Sequence, residues 1–172
     1  MPGKTKALVP TTTVGRHLLV EYSECDAEVL NNLQVVKELM LAAAKAAGTT
    51  TMGYLFRPFQ PQGVTGVVVI EESHLSIHTW PEHRYAAVDY FTCGKGKPEC
   101  AHAVLFKGLV AKRAEQLWIE RGLETSPKLL IRSHMLDVQP HGDGVSHQRK
   151  FEVSDHPGFL AHASAIASRA IE

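Results

Sequence analysis

Apolar and polar positions alternate in several short runs of the chain, and between them stand two longer stretches with helical spacing. The first run, RHLLVEY at residues 16–22, reads as a strand. Val29, Leu30, Leu33, Val36, Leu39 and Ala43 then recur every three or four residues, which predicts one amphipathic helix of about five turns. Side-chain oxygens within residues 23–26 can open it, and Gly48 can stop it. Residues 49–56 are rich in β-formers, and the prolines of RPFQPQG separate them from a valine-rich run at 66–70. A hairpin is expected from residues 74–80 and 85–91, with Pro81 ending the first arm. Pro98 can begin a second helix, with Ala101, Val104, Leu105 and Leu109 on one face, and residues 115–120 look like a further strand. Residues 128–135 can add another. Residues 139–150 read as a Gly/His-rich loop, and 159–171 as a short helix with Ala163, Ile166, Ala167 and Ala170 on one side. Short strands with only two long helices predict an α+β fold: a two-layer α/β sandwich whose sheet is mainly antiparallel and carries its helices on one face. The other face needs a cover, and a second copy of the chain is one solution.

Composition narrows the function classes. With 172 residues, 44% of them hydrophobic and 21% charged, the chain can form one domain with a true core. Eighteen basic residues balance eighteen acidic ones, and no dense Lys/Arg run occurs, so nothing points to nucleic acid or to an anionic membrane surface. The longest aliphatic runs, at 67–70 and 129–131, are far too short to cross a bilayer, and a cytoplasmic protein is expected. Three cysteines, Cys25, Cys93 and Cys100, are an odd number without CxxC spacing, which suggests neither a disulfide framework nor a zinc knuckle.

The chemistry concentrates in EESHLSIHTWPEHRYAAVDYFTCG, residues 71–94. The polar positions of its first strand are His74, Ser76 and His78, all able to take part in proton transfer. A zinc hydrolase built on His74 and His78 is not supported, because they belong to a strand and the HExxH glutamate is missing. Taken alone, Ser73 is an ordinary turn serine and Cys93 a small buried hydrophobe. In context, GVVVIEESHLSIHTWPE followed by FTCG resembles the processing site of the prokaryotic S-adenosylmethionine decarboxylases, which are pyruvoyl-dependent enzymes. The resemblance runs from about Gly15 to Gly122.

That resemblance implies that Glu72-Ser73 is a bond the chain cuts in itself. The Ser73 hydroxyl would attack the Glu72 carbonyl to give an ester, and elimination would leave dehydroalanine, which hydrolyses to a pyruvoyl group. Such a ketone forms a Schiff base with the substrate amine and takes up the electrons left when carbon dioxide departs. His78 would take the α-proton of the ester, and Thr65, standing where the family usually has serine, would stabilise the cleavage intermediate. Cys93 would protonate the product carbon. Residues 73 and 78 have opposite parity along a strand, so a kink at the cleavage site is expected. Phe59 matches the residue that stacks the adenine, while Trp80 and Glu82 match other substrate-binding positions. The family's α/β sandwich dimerises through its sheet, so a homodimer of cleaved protomers is implied. On this reading residues 1–14 are a flexible N-terminus, 15–136 the decarboxylase-like domain, and 137–172 a C-terminal extension. The product would be the aminopropyl donor for spermidine synthesis. His83-Arg84 departs from the tyrosine–glycine pair common in the family, and related pyruvoyl enzymes decarboxylate arginine or ornithine, which is the alternative activity. Arg84 is then either a solvated turn residue or the mark of changed specificity. A non-catalytic relative would be suggested by loss of Ser73, His78 or Cys93, and all three are present.

Overall fold

The computed structural model describes residues 13–123, 130–137 and 145–152, with side chains described for the first of these segments. Eight strands form one sheet: β1 Gly15–Ser23, β2 Thr50–Pro58, β3 Val64–Glu71, β4 Ser73–Trp80, β5 Tyr85–Thr92, β6 Arg113–Arg121, β7 Leu130–Asp137 and β8 Val145–Glu152. Their order is β2-β3-β4-β5-β1-β6-β7-β8, and every neighbouring pair is antiparallel. Three helices, α1 Ala27–Asn31, α2 Leu33–Ala46 and α3 Pro98–Gly108, complete the described elements apart from a 3-10 turn at Pro81–His83. The predicted α+β sandwich is therefore the observed one.

Alternation sorts the strands into two faces. Leu18, Val20, Tyr22, Val68, Ile70, Leu75, Ile77, Val88 and Tyr90 are buried under Val36, Met40, Ala43, Ala44, Ala101 and Leu105 of α2 and α3. Each such aliphatic side chain contributes about 1.5–3 kcal/mol relative to exposure. The opposite face carries Leu19, Val67, Val69, Ala87 and Leu117, none of them buried within one chain. Leu55 is 56% exposed and Val69 47% exposed, so this face is apolar in part and open.

Two expectations need correction. The single helix is two: Asp26 caps α1 by accepting from the backbone N–H of Glu28 and Val29, then Asn32 caps α2 by accepting from Gln34 and Val35. Asn32 itself is extended, with ψ 101°, and interrupts the helical backbone while the apolar period continues across it. Gly48, at φ +74°, does end the segment, in the left-handed region where glycine is at ease. The loop expected at 139–150 is in part β8, which pairs with β7 from Asp137↔Val145 to Leu130↔Glu152. Backbone pairing holds such an outer strand without an apolar period. The expected strand at 128–135 is β7, while the helix expected at 159–171 lies outside the described residues.

Candidate active site

Ser73 opens β4 directly after the turn at Glu72, and pairs with Ile70 on one side and Thr92 on the other. Its φ is +146°, a conformation that residues with a side chain rarely adopt. The kink expected at this junction is thus present, with strain worth roughly 1–3 kcal/mol at such a position. Cys93 follows Thr92 and so stands beside this junction. Its sulfur lies against Gly15, where an added Cβ would come within 3.2 Å of Sγ and collide with the Phe91 ring. The Thr92 hydroxyl accepts the Gly94 N–H at 3.1 Å, and Arg16 donates to the Gly96 carbonyl, so the turn after Cys93 is tied down from two sides. A cavity of about 490 Å³ opens here, lined by residues 48–50, Glu71, Glu72 and residues 93–96.

Thr65 and His78 face each other across β3 and β4, with Thr65 Oγ1 3.0 Å from His78 Nδ1. This contact orients the ring and leaves Nε2 for another partner. Leu75, Ile77 and Thr79 point into the core, so His74, Ser76 and His78 belong to the open face. Trp80 stacks obliquely on both His78 and Tyr85, at centroid distances of 6.2 and 5.3 Å, and Tyr85 donates to the Glu21 carboxylate. Gln62 donates to Glu82 at 3.0 Å, joining the β2–β3 loop to the β4–β5 turn. Phe59, 47% exposed, is held in that loop by its N–H bond to the Gly63 carbonyl.

The expected site residues therefore form two groups at opposite ends of β4. Glu72, Ser73 and Cys93 occupy one end; Phe59, Thr65, His78, Trp80 and Glu82 occupy the other. Five residue steps of strand lead from Ser73 to His78, about 16 Å at roughly 3.3 Å per step. The kink does not bring them together within one chain.

Sequence reading missed the polar centre of the open face. There Ser76 donates to Asp89 at 3.1 Å, and His17 Nε2 lies 3.5 Å from the other Asp89 oxygen. Burial holds the His17 pKa below its ordinary value; Arg121 and His74 act in the same direction and Asp89 opposes them. The cross-strand register, invisible in a linear sequence, is what makes this group. A second buried set, Tyr22–His102–Gln116, lies on the helix side, with Tyr22 Oη 2.9 Å from His102 Nδ1 and Gln116 Nε2 3.0 Å from His102 Nε2. Cys25 belongs to the core, and burial pushes its thiol up to about 12, which separates it from site chemistry. Arg84 is an exposed turn residue, but not a loose one: in left-handed backbone at φ +51°, it donates from Nε to the Cys25 carbonyl at 2.8 Å.

Residues 16–122 match the family model for S-adenosylmethionine decarboxylase. The chain is 51% identical over 111 residues to the S-adenosylmethionine decarboxylase proenzyme of Thermotoga maritima, an overlap of 64% of this chain and 85% of that one. It is 43% identical over 129 residues to the proenzyme of the same name from Thermodesulfovibrio yellowstonii, covering 74% and 90% of the two chains. Among solved structures, the adenosylmethionine decarboxylase of Aquifex aeolicus is similar with a TM-score of 0.60 at 38% identity, over 68% of this chain and 99% of that one.

Proposed function

The chain belongs to the S-adenosylmethionine decarboxylase family, and from that premise we infer that it is a self-cleaving, pyruvoyl-dependent decarboxylase of S-adenosylmethionine, making the aminopropyl donor for spermidine synthesis. The observation that carries the reading is the Glu72-Ser73 junction, held at φ +146° on Ser73 beside Cys93 and an open cavity. Strain in the peptide that must be attacked favours its conversion to an ester. A pyruvoyl group made from Ser73 suits the place: it would begin β4, next to a thiol and to space for a substrate. That group supplies the electron sink that no ordinary side chain offers.

The chain's own residues do the rest. Cys93, within the same cavity wall, serves as the general acid for the product carbon. His78, oriented by Thr65, is the base that takes the Ser73 α-proton, and threonine keeps the hydroxyl this orientation needs. Phe59 and Trp80 offer aromatic faces to an adenine and a sulfonium, and Glu82 offers a carboxylate to ribose hydroxyls.

Because the two groups stand at opposite ends of one strand, they complete each other only between chains. A twofold axis through the open face sets two sheets face to face with their ends exchanged, so the Ser73 end of one protomer meets the His78 end of its partner. The partly apolar open face, with Leu55, Val67 and Val69, supports this homodimer. Three free thiols support a cytoplasmic setting. The family match and the anchoring of Arg84 to Cys25, outside the cavity wall, favour S-adenosylmethionine over arginine or ornithine. Denaturing mass spectrometry of the purified protein should show fragments of residues 1–72 and 73–172, the second beginning with pyruvoyl, and carbon dioxide should be released from S-adenosylmethionine. An uncut chain, or release from arginine or ornithine alone, overturns the reading.

A further inference from the structure

The cavity beside the cleavage site carries three charged side chains: Glu71, Glu72 and Lys95. Two are carboxylates, and Lys95 is exposed on the turn after Cys93 with no ion pair to any described residue. The turn that bears it is nonetheless fixed. Thr92 holds Gly94, Arg16 holds Gly96, and the Lys97 N–H donates to the Ala47 carbonyl at 2.9 Å. Gly96 is buried, and a Cβ there would meet Thr49 at 2.9 Å and the Tyr90 hydroxyl at 3.0 Å, so the turn is packed down onto the sheet and cannot swing freely. A cation without an ion pair is thus presented on a fixed turn to a cavity whose other charges are negative.

We propose that Lys95 is the counter-charge for the α-carboxylate expelled from Glu72 when the chain cleaves itself. The proposal rests on the self-cleavage reading above. In the ester, the Glu72 carbonyl carbon is bonded to Ser73 Oγ. The base removes the Ser73 α-proton, the C–H electron pair becomes the Cα=Cβ double bond, and the Cβ–O bond breaks with its pair going to oxygen. The leaving group is the Glu72 carboxylate; the dehydroalanine left behind takes up water and releases ammonia to become the ketone. Negative charge therefore develops on Glu72 during the step, in a cavity that already holds two carboxylates. A cation borne there on a fixed turn lowers the barrier to elimination, because it meets charge that grows only as the bond breaks. Lys95 has no such role in the preceding acyl shift, which creates no lasting charge on Glu72.

The test follows cleavage in time by intact mass, with samples quenched in denaturant containing hydroxylamine. Hydroxylamine splits any accumulated ester, giving residues 1–72 as a hydroxamate and residues 73–172 with a serine amino terminus, whereas completed elimination gives a free acid and a pyruvoyl terminus, which the same reagent converts to its oxime with loss of water. Lys95→Gln should slow completion by roughly tenfold, a modest factor for an exposed charge that water and salt screen, and the ester should build up. Lys95→Arg should restore the rate. Lys97→Gln, on the same turn but outside the cavity wall, should behave as wild type. Raising salt from about 0.1 to about 1 M should slow the wild type and leave Lys95→Gln unchanged. Cleavage of Lys95→Gln at the wild-type rate, or slowing without accumulated ester, overturns the proposal. A wild-type chain that neither cleaves nor yields hydroxylamine products overturns the self-cleavage reading instead.

Discussion

Ser73, His78 and Cys93 are separable residue by residue, because each is assigned to a different moment of the chemistry. Ser73→Ala leaves no hydroxyl to attack and should remain a whole chain on denaturing mass spectrometry. His78→Ala should stall before the pyruvoyl terminus forms, while Cys93→Ala should cleave and then turn over slowly, by about 10²-fold or more for loss of a general acid. Equal cleavage defects in His78→Ala and Cys93→Ala would contradict these roles. Thr65→Val keeps the shape and removes the hydroxyl that holds His78 Nδ1, so processing should slow, and Thr65→Ser should recover it. His17 gives a residue-level pH dependence. Burial depresses its pKa from 6.5, with Asp89 opposing from one side and Arg121 and His74 reinforcing from the other. The unfolded chain binds a proton at 6.5 that the folded chain resists, so the unfolded state is favoured as pH falls. Stability from this site is complete above about 6.5 and is lost as pH drops through that value toward the lower folded pKa. Thermal melts from about pH 7.5 down to about 5.5 should show the decline, and His17→Gln should flatten it.

β4 shows at the scale of an element how one strand serves both the core and the chemistry. Thr79 stands on its helix-facing side, where its hydroxyl donates to the Leu30 carbonyl at 2.8 Å and accepts the Val64 N–H at 2.7 Å, locking α1 and β3 to the strand that carries His78. Thr79→Val would leave two buried backbone groups unpaired and should destabilise by about 1–3 kcal/mol, read as a lower urea midpoint with unchanged slope. Alternation makes this strand legible in the sequence alone, since parity is enough to assign His74, Ser76 and His78 to one face. The break at Asn32 is not legible, because Leu30 and Leu33 keep the helical period across it and only the side-chain cap marks the interruption. β8 is hidden for a different reason: VSHQRKFE lacks an apolar alternation, and its pairing with β7 is a matter of backbone hydrogen bonds. Ser73, His78 and Cys93 stand out in the sequence only through the resemblance of their surrounding segments to the decarboxylase family. Their separation into two groups, the Asp89 cluster and the place of Lys95 depend on register and on turns, which residue types alone do not specify.

For the whole molecule, the separation of Ser73 from His78 makes assembly a condition of the proposed chemistry. On the proposed mechanism a lone protomer would hold the junction to be cut at one end of β4 and the base about 16 Å away at the other, so neither processing nor turnover would be completed within it. In the proposed homodimer, a twofold axis through the open face would supply two complete sites, each with Ser73 and Cys93 from one chain and Thr65, His78, Phe59, Trp80 and Glu82 from the second copy. This arrangement makes a prediction that no single-chain site shares. Ser73→Ala and His78→Ala should each be inactive alone, yet a mixed dimer would contain one site with an intact Ser73 from the His78→Ala chain and an intact His78 from the Ser73→Ala chain. Co-expression of the two variants with distinguishable tags should therefore restore cleavage, and mass spectrometry should find it only in the His78→Ala chain. The mixed dimer should also release carbon dioxide from S-adenosylmethionine, whereas either variant alone should release none. Absence of cleavage in a dimer shown by its tags to contain both variants would return the whole site to one chain and require β4 to bend far more than it does here.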